Sequence, residues 1–513
     1  MRLPLLMKEI EILGIVGDPD GEVRSVRYNS RLCEKDDLFV AIPGIRTDGH
    51  QFIGDALARG ARFIIHERDF VPPAGITAIR VRNSRQVLGR LGDNFFGHPS
   101  ASLCLIAVVG TNGKTTITYL LEAILRAAGH SVGVLGTVDY RYGERRFPAP
   151  NTTPESFEMQ RILREMADHG ITHVVSEVSS HAIDLHRVDD CAFDLGIFTN
   201  LTQDHLDYHK TMENYFQAKR RFFSEILPGG GKNCPRRMVL NADDPWGQRI
   251  IREVAGGRLT YGLDNPCDVT AAPFRLSLGG IEANICLEAI QFDIASPLMG
   301  KFNLYNILAA VAAASAIAIP PEAIRKGIAG LAQVPGRLEK VSAAGQPAVF
   351  VDYAHTDDAL RRVLQNLSAF RTGQTERIIT VFGCGGDRDR GKRPLMGEAA
   401  TALSDLTIVT SDNPRTEDPL DIIREIETDI PAPKFVDIAE FERHPGQRGY
   451  LVLPDRREAI AAAIGLAGTA DIVLIAGKGH EDYQIVGSRR FPFDDRVIAR
   501  EALRLWQTGR ERS

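Results

Sequence analysis

Apolar runs broken by glycine, aspartate or asparagine recur along the chain, and they predict strands that lead into loops. "DLFVAI", "ARFIIHE" and "ITAIRV" come first, with helical stretches between them, and this part closes at "FFGHPSASL". Next, Leu103 to Val109 is a continuous apolar, β-branched run that reads as a buried strand. Ile117 to Leu125 reads as a helix whose first turn lies around Thr115 and Thr116. "THVVSEVSS" and "LGIFTNL" continue the alternation. After "VPGRLEKV" a third set begins with "AVFVDYAH", "RIITVFGCGG", "LTIVTSD" and "DIVLIAGKG". Strands alternating with helices imply an α/β protein with mainly parallel sheets. The punctuation divides it into a small α/β module at 1–102, a central sheet domain at 103–334 and a third domain at 335–513.

Length agrees with that division, since 513 residues exceed a single core and suit about three domains. Hydrophobic residues at 44% and charged ones at 25% are the balance of a soluble globular protein. A net charge of -5 and the lack of long basic runs give no footprint of nucleic-acid binding. Seven scattered cysteines without a Cys-x-x-Cys pair argue against a disulfide framework or a structural zinc site, and fit a reduced cytoplasm. Lys8 and Glu9 interrupt "MRLPLLMKEI" before a signal-peptide core forms, and no run is long enough for a membrane span.

The chemistry begins at "GTNGKTT", Gly110 to Thr116, between the buried strand and the helix. Unpaired amides at a helix start attract an anion, and glycine lets the backbone approach phosphate oxygens. Lys114 would reach the terminal phosphates and Thr115 would ligate magnesium. Only Thr111 and Asn112 separate the two glycines, where the usual phosphate loop has four residues. A second constellation joins Glu177, at the end of one strand, to Asp204, His205, Asp207 and His209 beyond another. Each alone reads equally well as a helix cap or a loop histidine. On strand ends of the same sheet as a phosphate loop, they are candidate ligands for a nucleotide-bound magnesium and a second metal. Lys219, in "YFQAKRRFF", reads on its own as a surface lysine of an amphipathic helix.

Taken together, these residues resemble the Mur ligases, enzymes of peptidoglycan-precursor synthesis, across essentially the whole chain. The resemblance rests on Gly110 to Thr116, "NTTPE" from 151, "EVSSHA" from 177, "TNLTQDHLDYH" from 199, "AKRRFF" from 218 and "GKFNLYN" from 300. It continues through "PGRLE" from 335, "VDYAHT" from 351, "GDRDRGKRP" from 386, "DNPR" from 412 and "GKGHEDYQ" from 477. It implies three domains: a UDP-sugar-binding N-terminal α/β domain, a central P-loop ATPase-like domain and a C-terminal Rossmann-like domain that takes an amino acid. It also implies an ATP-dependent amide ligase that passes through an acyl phosphate, with magnesium as cofactor. The expected substrates are ATP, meso-2,6-diaminopimelate and UDP-N-acetylmuramoyl-L-alanyl-D-glutamate, and the protein is expected to be a cytoplasmic monomer.

By the same resemblance, Gly110, Thr111, Asn112, Gly113, Lys114, Thr115 and Thr116 would hold ATP together with Asn303, Arg337 and Asp352. Ser30, Asn151, Thr152, Thr153, Ser179 and Arg187 would contact the UDP-muramoyl-dipeptide. Thr115, Glu177, His205 and Lys219 would hold metal, Lys219 as a carbamate derived from CO2, because an ammonium cannot ligate a cation. Lys114, Glu177, His205 and Lys219 would form the catalytic set. Two positions depart from the family pattern: Asn29 stands where Asp-Ser-Arg is usual, and Asp357 follows "YAHT" in place of proline.

The choice of amino acid turns on "SDNPRTEDP". Asp-Asn-Pro alone reads as a turn. Arg415 asks for more, because diaminopimelate differs from lysine by a distal carboxylate that a guanidinium fork can take with two parallel bonds. Diaminopimelate-adding members have this arginine, and the resemblance adds Arg388, Asp412, Asn413, Pro414, Gly477 and Glu481 to the pocket. Glu481 would face an ammonium and Arg388 a carboxylate. The other readings are a related ligase adding lysine or glutamate, a P-loop kinase or hydrolase, and a nucleotide-binding scaffold without turnover.

Overall fold

The computed structural model describes residues 1–44, 47–232, 237–371, 373, 376–444 and 446–510. The chain packs as two compact units: Met1–Leu201 with Thr211–Thr270 and Leu308–Gly327, and Thr202–Lys210 with Ala271–Ile307 and Ile328–Ser513.

In the first unit the early apolar runs form a five-stranded sheet. Its order is Gly14–Val16, Thr77–Arg80, Phe63–His66, Leu38–Val40, Val26–Arg27, and all but the first strand are parallel. The central strands of the larger sheet run Arg258–Tyr261, Met238–Asn241, Leu195–Phe198, Cys104–Val109, His173–Val178, Val132–Leu135, all parallel to one another. Leu105 to Val109 are completely buried. A strand covered on both faces has no polar alternation, which is why this stretch reads as one apolar run. Ile117, Leu120, Leu121, Ile124 and Leu125 are the buried stripe of the helix Lys114–Ala127.

Register brings the chemistry together. Val109 pairs with Val178 on one side and with Phe198 on the other, so three strands end at one level. The loops at their carboxyl ends, which begin at Gly110, Ser179 and Thr199, share one edge of the sheet, the usual place for a ligand in a parallel fold. The edge hairpin Asp139–Tyr142 and Arg145–Pro148 is antiparallel and closes with the turn Gly143-Glu144.

The second unit carries a six-stranded sheet. Its order is Glu339–Lys340, Ala348–Asp352, Ile472–Ala476, Ile378–Phe382, Leu406–Val409, Gly449–Val452, antiparallel only at the first pair. Asp352 pairs with Ala476, and Phe382 with Val409. Tyr353, which follows Asp352, and Gly383, Thr410 and Gly477 therefore begin the loops of one carboxyl edge. This unit also carries two antiparallel hairpins, Gly280–Leu287 with Ile290–Ser296 and Tyr483–Val486 with Arg489–Pro492.

Candidate active site

The loop after Cys104–Val109 is built for close approach. A Cβ on Gly110 would lie 1.8 Å from the Thr199 hydroxyl, so only glycine fits, and Gly113 precedes the helix at φ +89°. Neighbouring strand ends brace the loop. The Asn200 carbonyl accepts from Thr111 N at 2.9 Å, Asn200 Oδ1 accepts from Asn112 N at 3.0 Å, and the Thr199 hydroxyl donates to the Asn112 carbonyl at 2.7 Å. The Thr111 hydroxyl is 3.1 Å from that of Tyr215. Lys114 Nζ donates to the carbonyls of Gly110 and Thr111 at 3.0 and 2.8 Å, which keeps its charge at the loop.

Glu177 is buried beside this loop. Its carboxylate accepts from the Thr115 hydroxyl at 3.2 Å, the Thr137 amide at 3.0 Å and the Thr137 hydroxyl at 2.9 Å. Thr115 and Glu177 are hard oxygen donors of the kind magnesium takes. Among the described residues no group of three or more His, Cys, Asp or Glu side chains could hold a metal alone. A cation here would complete its shell from phosphate oxygens and water, as magnesium does in nucleotide sites. The residues therefore fit that ion.

Thr137 also reaches Thr152, 3.2 Å away between hydroxyls. The Thr153 hydroxyl donates to the Glu177 carbonyl at 2.9 Å and accepts from Ser179 N at 3.1 Å, while Ser179 caps Ser180–Asp184. Arg187 donates to the Thr153 carbonyl at 3.1 Å, and the Asn151 carbonyl accepts from the Tyr140 hydroxyl. Of the predicted dipeptide contacts, Thr152, Thr153, Ser179 and Arg187 thus form one bonded cluster around the Glu177 strand end, and Asn151 adjoins it along the chain.

Lys219 is not the surface residue that its sequence alone suggests. It is 1% exposed, its Nζ donates to the Gly110 carbonyl at 2.9 Å, and it lies 4.5 Å from the Tyr215 ring centre. Phe216, Phe222 and Phe223 are buried on the same segment, and Phe222 and Phe223 pack on Phe193 and Phe198. These anchors turn the helix Met212–Arg221 so that Lys219 enters the phosphate loop. A π-helical turn, Phe222–Ile226, follows directly, a feature frequent at functional sites. A fully buried amine at a phosphate loop fits the position of a carbamate.

His205 falls in the second unit, half-exposed, in a left-handed conformation before Leu206–His209 and 3.4 Å from the Asp204 carboxylate. Asn303 is buried and tied to the Met299 carbonyl at 2.8 Å. Asp352 accepts from Leu338 N at 2.6 Å and Ala354 N at 2.8 Å. Burial pushes its carboxyl above the usual range, against the pull of Arg337 and of those amides. The Arg337 guanidinium stacks 4.7 Å over the Tyr353 ring.

The remaining candidates meet at the carboxyl edge of the six-stranded sheet. Asn413 Nδ2 donates to Glu481 at 2.8 Å, and Asn413 Oδ1 accepts from Ile485 N at 2.9 Å. Arg415 sits at φ +52°, an uncommon conformation for a long side chain, held by Arg415 N to Ile485 O at 3.1 Å and Gly487 N to Arg415 O at 2.7 Å. Its guanidinium donates to the Gly386 carbonyl at 2.7 Å. Arg388, two residues beyond Gly386, is exposed and bonds only weakly to the Asp387 carbonyl at 3.3 Å. A buried clamp joins these two loops. Arg393 pairs with Glu417 at 2.8 Å and Glu425 at 2.7 Å, and the Thr416 hydroxyl donates to Asp387 at 2.7 Å.

Comparison with known proteins gives this arrangement its place. The chain matches the Mur ligase family catalytic domain over residues 22–96, the Mur ligase middle domain over 108–314 and the Mur ligase glutamate ligase domain over 336–479. It is 46% identical over 506 residues to the UDP-N-acetylmuramoyl-L-alanyl-D-glutamate--2,6-diaminopimelate ligase of Geobacter metallireducens, covering 98% of each chain. The chain belongs to the Mur ligase family. The ligase of the same name from Caldanaerobacter subterraneus is 39% identical over 98% of this Mur ligase chain and 99% of its own. A solved structure of a ligase of that name superposes with a TM-score of 0.68 at 32% identity, covering 99% of both chains. A MurF ligase from Thermotoga maritima shares the three-domain Mur ligase fold, with a TM-score of 0.60 at 20% identity over 96% of this chain and 99% of its own.

Both departures from the Mur ligase pattern keep their local function. Asn29 caps the turn Ser30–Leu32 by accepting from Arg31 N at 3.1 Å, a bond that its amide oxygen makes as an aspartate would, and Ser30 is buried. Asp357 is the first residue of the helix Asp357–Ser368 behind the Thr356 cap, where either proline or an acidic residue suits the helix start. Sequence reasoning passed over Thr137, Thr199, Asn200 and Arg393. Thr199 and Asn200 lie in "TNLTQDH" directly after a strand, which was a usable signal; for Thr137 and Arg393 the spacing offers none.

Proposed function

We propose that this chain is an ATP-dependent ligase that joins meso-2,6-diaminopimelate to UDP-N-acetylmuramoyl-L-alanyl-D-glutamate in the cytoplasm, in the synthesis of peptidoglycan precursor. The observation that carries the reading is similarity over 98% of the chain to a ligase of that activity. The cluster of Asn413, Arg415 and Glu481 at a sheet edge supports the amino-acid choice.

The segment 1–102 takes the UDP end through Ser30, 103–334 takes ATP and the muramoyl-dipeptide, and 335–513 takes the amino acid. A carboxylate and an amine do not form an amide in water without activation, so the γ-phosphoryl of ATP passes to the D-glutamyl γ-carboxylate. The amine attacks the acyl phosphate, and the tetrahedral intermediate expels phosphate. Bringing a carboxylate to a triphosphate opposes like charges, and Lys114 and the loop amides from Gly110 to Thr116 offset that repulsion. Asn303, Arg337 and Asp352 complete the contacts to ATP. Magnesium at Thr115 and Glu177, and a second ion assigned to Glu177, His205 and carbamylated Lys219, supply further positive charge when bound. Asn151, Thr152, Thr153, Ser179 and Arg187 orient the dipeptide, while Arg388, Asp412 to Arg415, Gly477 and Glu481 orient diaminopimelate.

Phosphate release with each substrate omitted in turn tests this. A ligase releases phosphate only when muramoyl-dipeptide, amine and ATP are all present. Phosphorylation without the amine would make it a kinase, and no turnover under any condition would make it a binding protein.

A further inference from the structure

One buried charge in the amino-acid pocket has no part in the scheme above. Lys478 follows the strand Ile472–Ala476, and its side chain is completely buried. Its ammonium lies 3.3 Å from Asp412 Oδ1, 3.3 Å from Glu481 Oε2 and 3.1 Å from Asn413 Oδ1, with the Tyr483 ring centre at 5.5 Å. Asn413 donates to the same Glu481 oxygen at 2.8 Å. One carboxylate oxygen is thus held by two donors. A buried ammonium is costly unless paired, and a surplus of carboxylates over ammonium leaves the cluster with an unbalanced negative charge.

The surroundings do not supply that balance elsewhere. Burial and Asp412 both push the Glu481 carboxyl above its ordinary range, and Lys478 and Asn413 oppose them. Arg456 feels Asp412 and Glu481, but its guanidinium is committed to Asp495 at 2.7 Å and to the Ala476 carbonyl at 2.9 Å. Tyr353 and Tyr483 are neutral neighbours whose hydroxyls are pushed up by burial first and by Glu481 second, and Arg490 stacks on the Tyr483 ring at 3.5 Å. Among the described residues, Lys478 is the cation in hydrogen-bond contact with both carboxylates.

We propose that Lys478 is a positioning residue for the incoming amino acid: it fixes the Glu481 carboxylate against Asn413 and leaves the Asp412–Glu481–Lys478 cluster, apart from the guanidiniums of Arg388 and Arg415 that face carboxylates, one net negative charge for a substrate ammonium. The inference rests on the assignment of Asp412 to Arg415 and Glu481 as the diaminopimelate pocket. Without the lysine two facing carboxylates share a buried site, and such a pair takes up a proton at higher pH. Glu481 then loses the charge that an ammonium needs.

Steady-state kinetics from pH 5.5 to 9 test this on Lys478→Met, Lys478→Gln and Lys478→Arg. For the two neutral variants KM for diaminopimelate at pH 7 is expected to rise about tenfold, and its acidic limb to move about one pH unit upward. Lys478→Arg keeps the charge and should keep the limb near its wild-type position, and KM for ATP should stay within about twofold in all three. A KM that rises equally at every pH, an arginine variant that behaves like methionine, or failure of all three to fold overturns the proposal, since each makes Lys478 structural. Arg415→Ala and Glu481→Gln run in parallel. If both leave KM for diaminopimelate unchanged, the pocket assignment itself fails; if they raise it while Lys478→Met runs parallel to wild type, only the role of Lys478 fails.

Discussion

Lys114 holds its ammonium on two carbonyls of its own loop, so removing it deletes charge where phosphates bind without opening a core. Lys114→Ala is expected to abolish ligation, by about 10³-fold or more, while circular dichroism and melting stay as in wild type. Near-normal turnover in a folded variant would contradict the assignment. Lys219 makes a sharper demand, because its proposed role is that of an anion. Lys219→Ala should lose most activity and regain part of it with added formate, and Lys219→Arg should stay inactive although it keeps the positive charge; full activity in the arginine variant excludes a carbamate. Lys114 was legible in the sequence because glycines, lysine and threonine follow a buried strand at short spacing. The burial of Lys219 was not, since "AKRRFF" offers three cations and nothing local says which one faces inward. The rings of Phe193 and Phe198, distant in sequence, decide that.

Elements place these residues, and loops held by buried ion pairs set the finer geometry. Arg393 is fully buried between Glu417 and Glu425, and it joins the loop of Arg388 to that of Arg415. Arg393→Ala leaves those carboxylates only the exposed Arg390 as a cation and should cost about 1–3 kcal/mol in denaturant unfolding, with KM for diaminopimelate raised as the loops separate. The clamp also gives a pH signature. Arg393 holds Glu417 down to about 2. A depressed carboxyl stabilises the fold fully above its unfolded value of about 4.3 and loses that contribution as pH falls toward about 2. Wild-type stability should therefore drop through that window more steeply than that of Glu417→Gln, as followed by melting temperature against pH. The ten strand runs picked out by apolar patterning all contain strands in the structure, since buried parallel strands need unbroken apolar stretches. The antiparallel hairpins escaped that reading. Gly280–Leu287 and Ile290–Ser296 alternate buried and exposed residues, and they were not distinguished from the surrounding alternation.

At the scale of the whole molecule, each unit brings its chemistry to the carboxyl edge of a parallel sheet: Gly110, Glu177 and Lys219 in one, Asp412 to Arg415 and Glu481 in the other. The family was legible because so many short motifs keep their order along 513 residues. The contacts inside each edge were not, because they depend on register between strands far apart in sequence. On the proposed reading, Arg415 is the residue that distinguishes this ligase from one that adds lysine. Arg415→Ala should raise KM for diaminopimelate by about 10- to 100-fold, the loss expected for hydrogen bonds to a charged group, and leave KM for ATP unchanged. The most direct test of the whole account is mass analysis of the product formed from ATP and UDP-N-acetylmuramoyl-L-alanyl-D-glutamate with equal concentrations of meso-diaminopimelate and lysine. A site built around a carboxylate rejects an analogue lacking it by roughly 10⁴-fold, so the expected product carries diaminopimelate alone. Comparable amounts of the lysine adduct would contradict it.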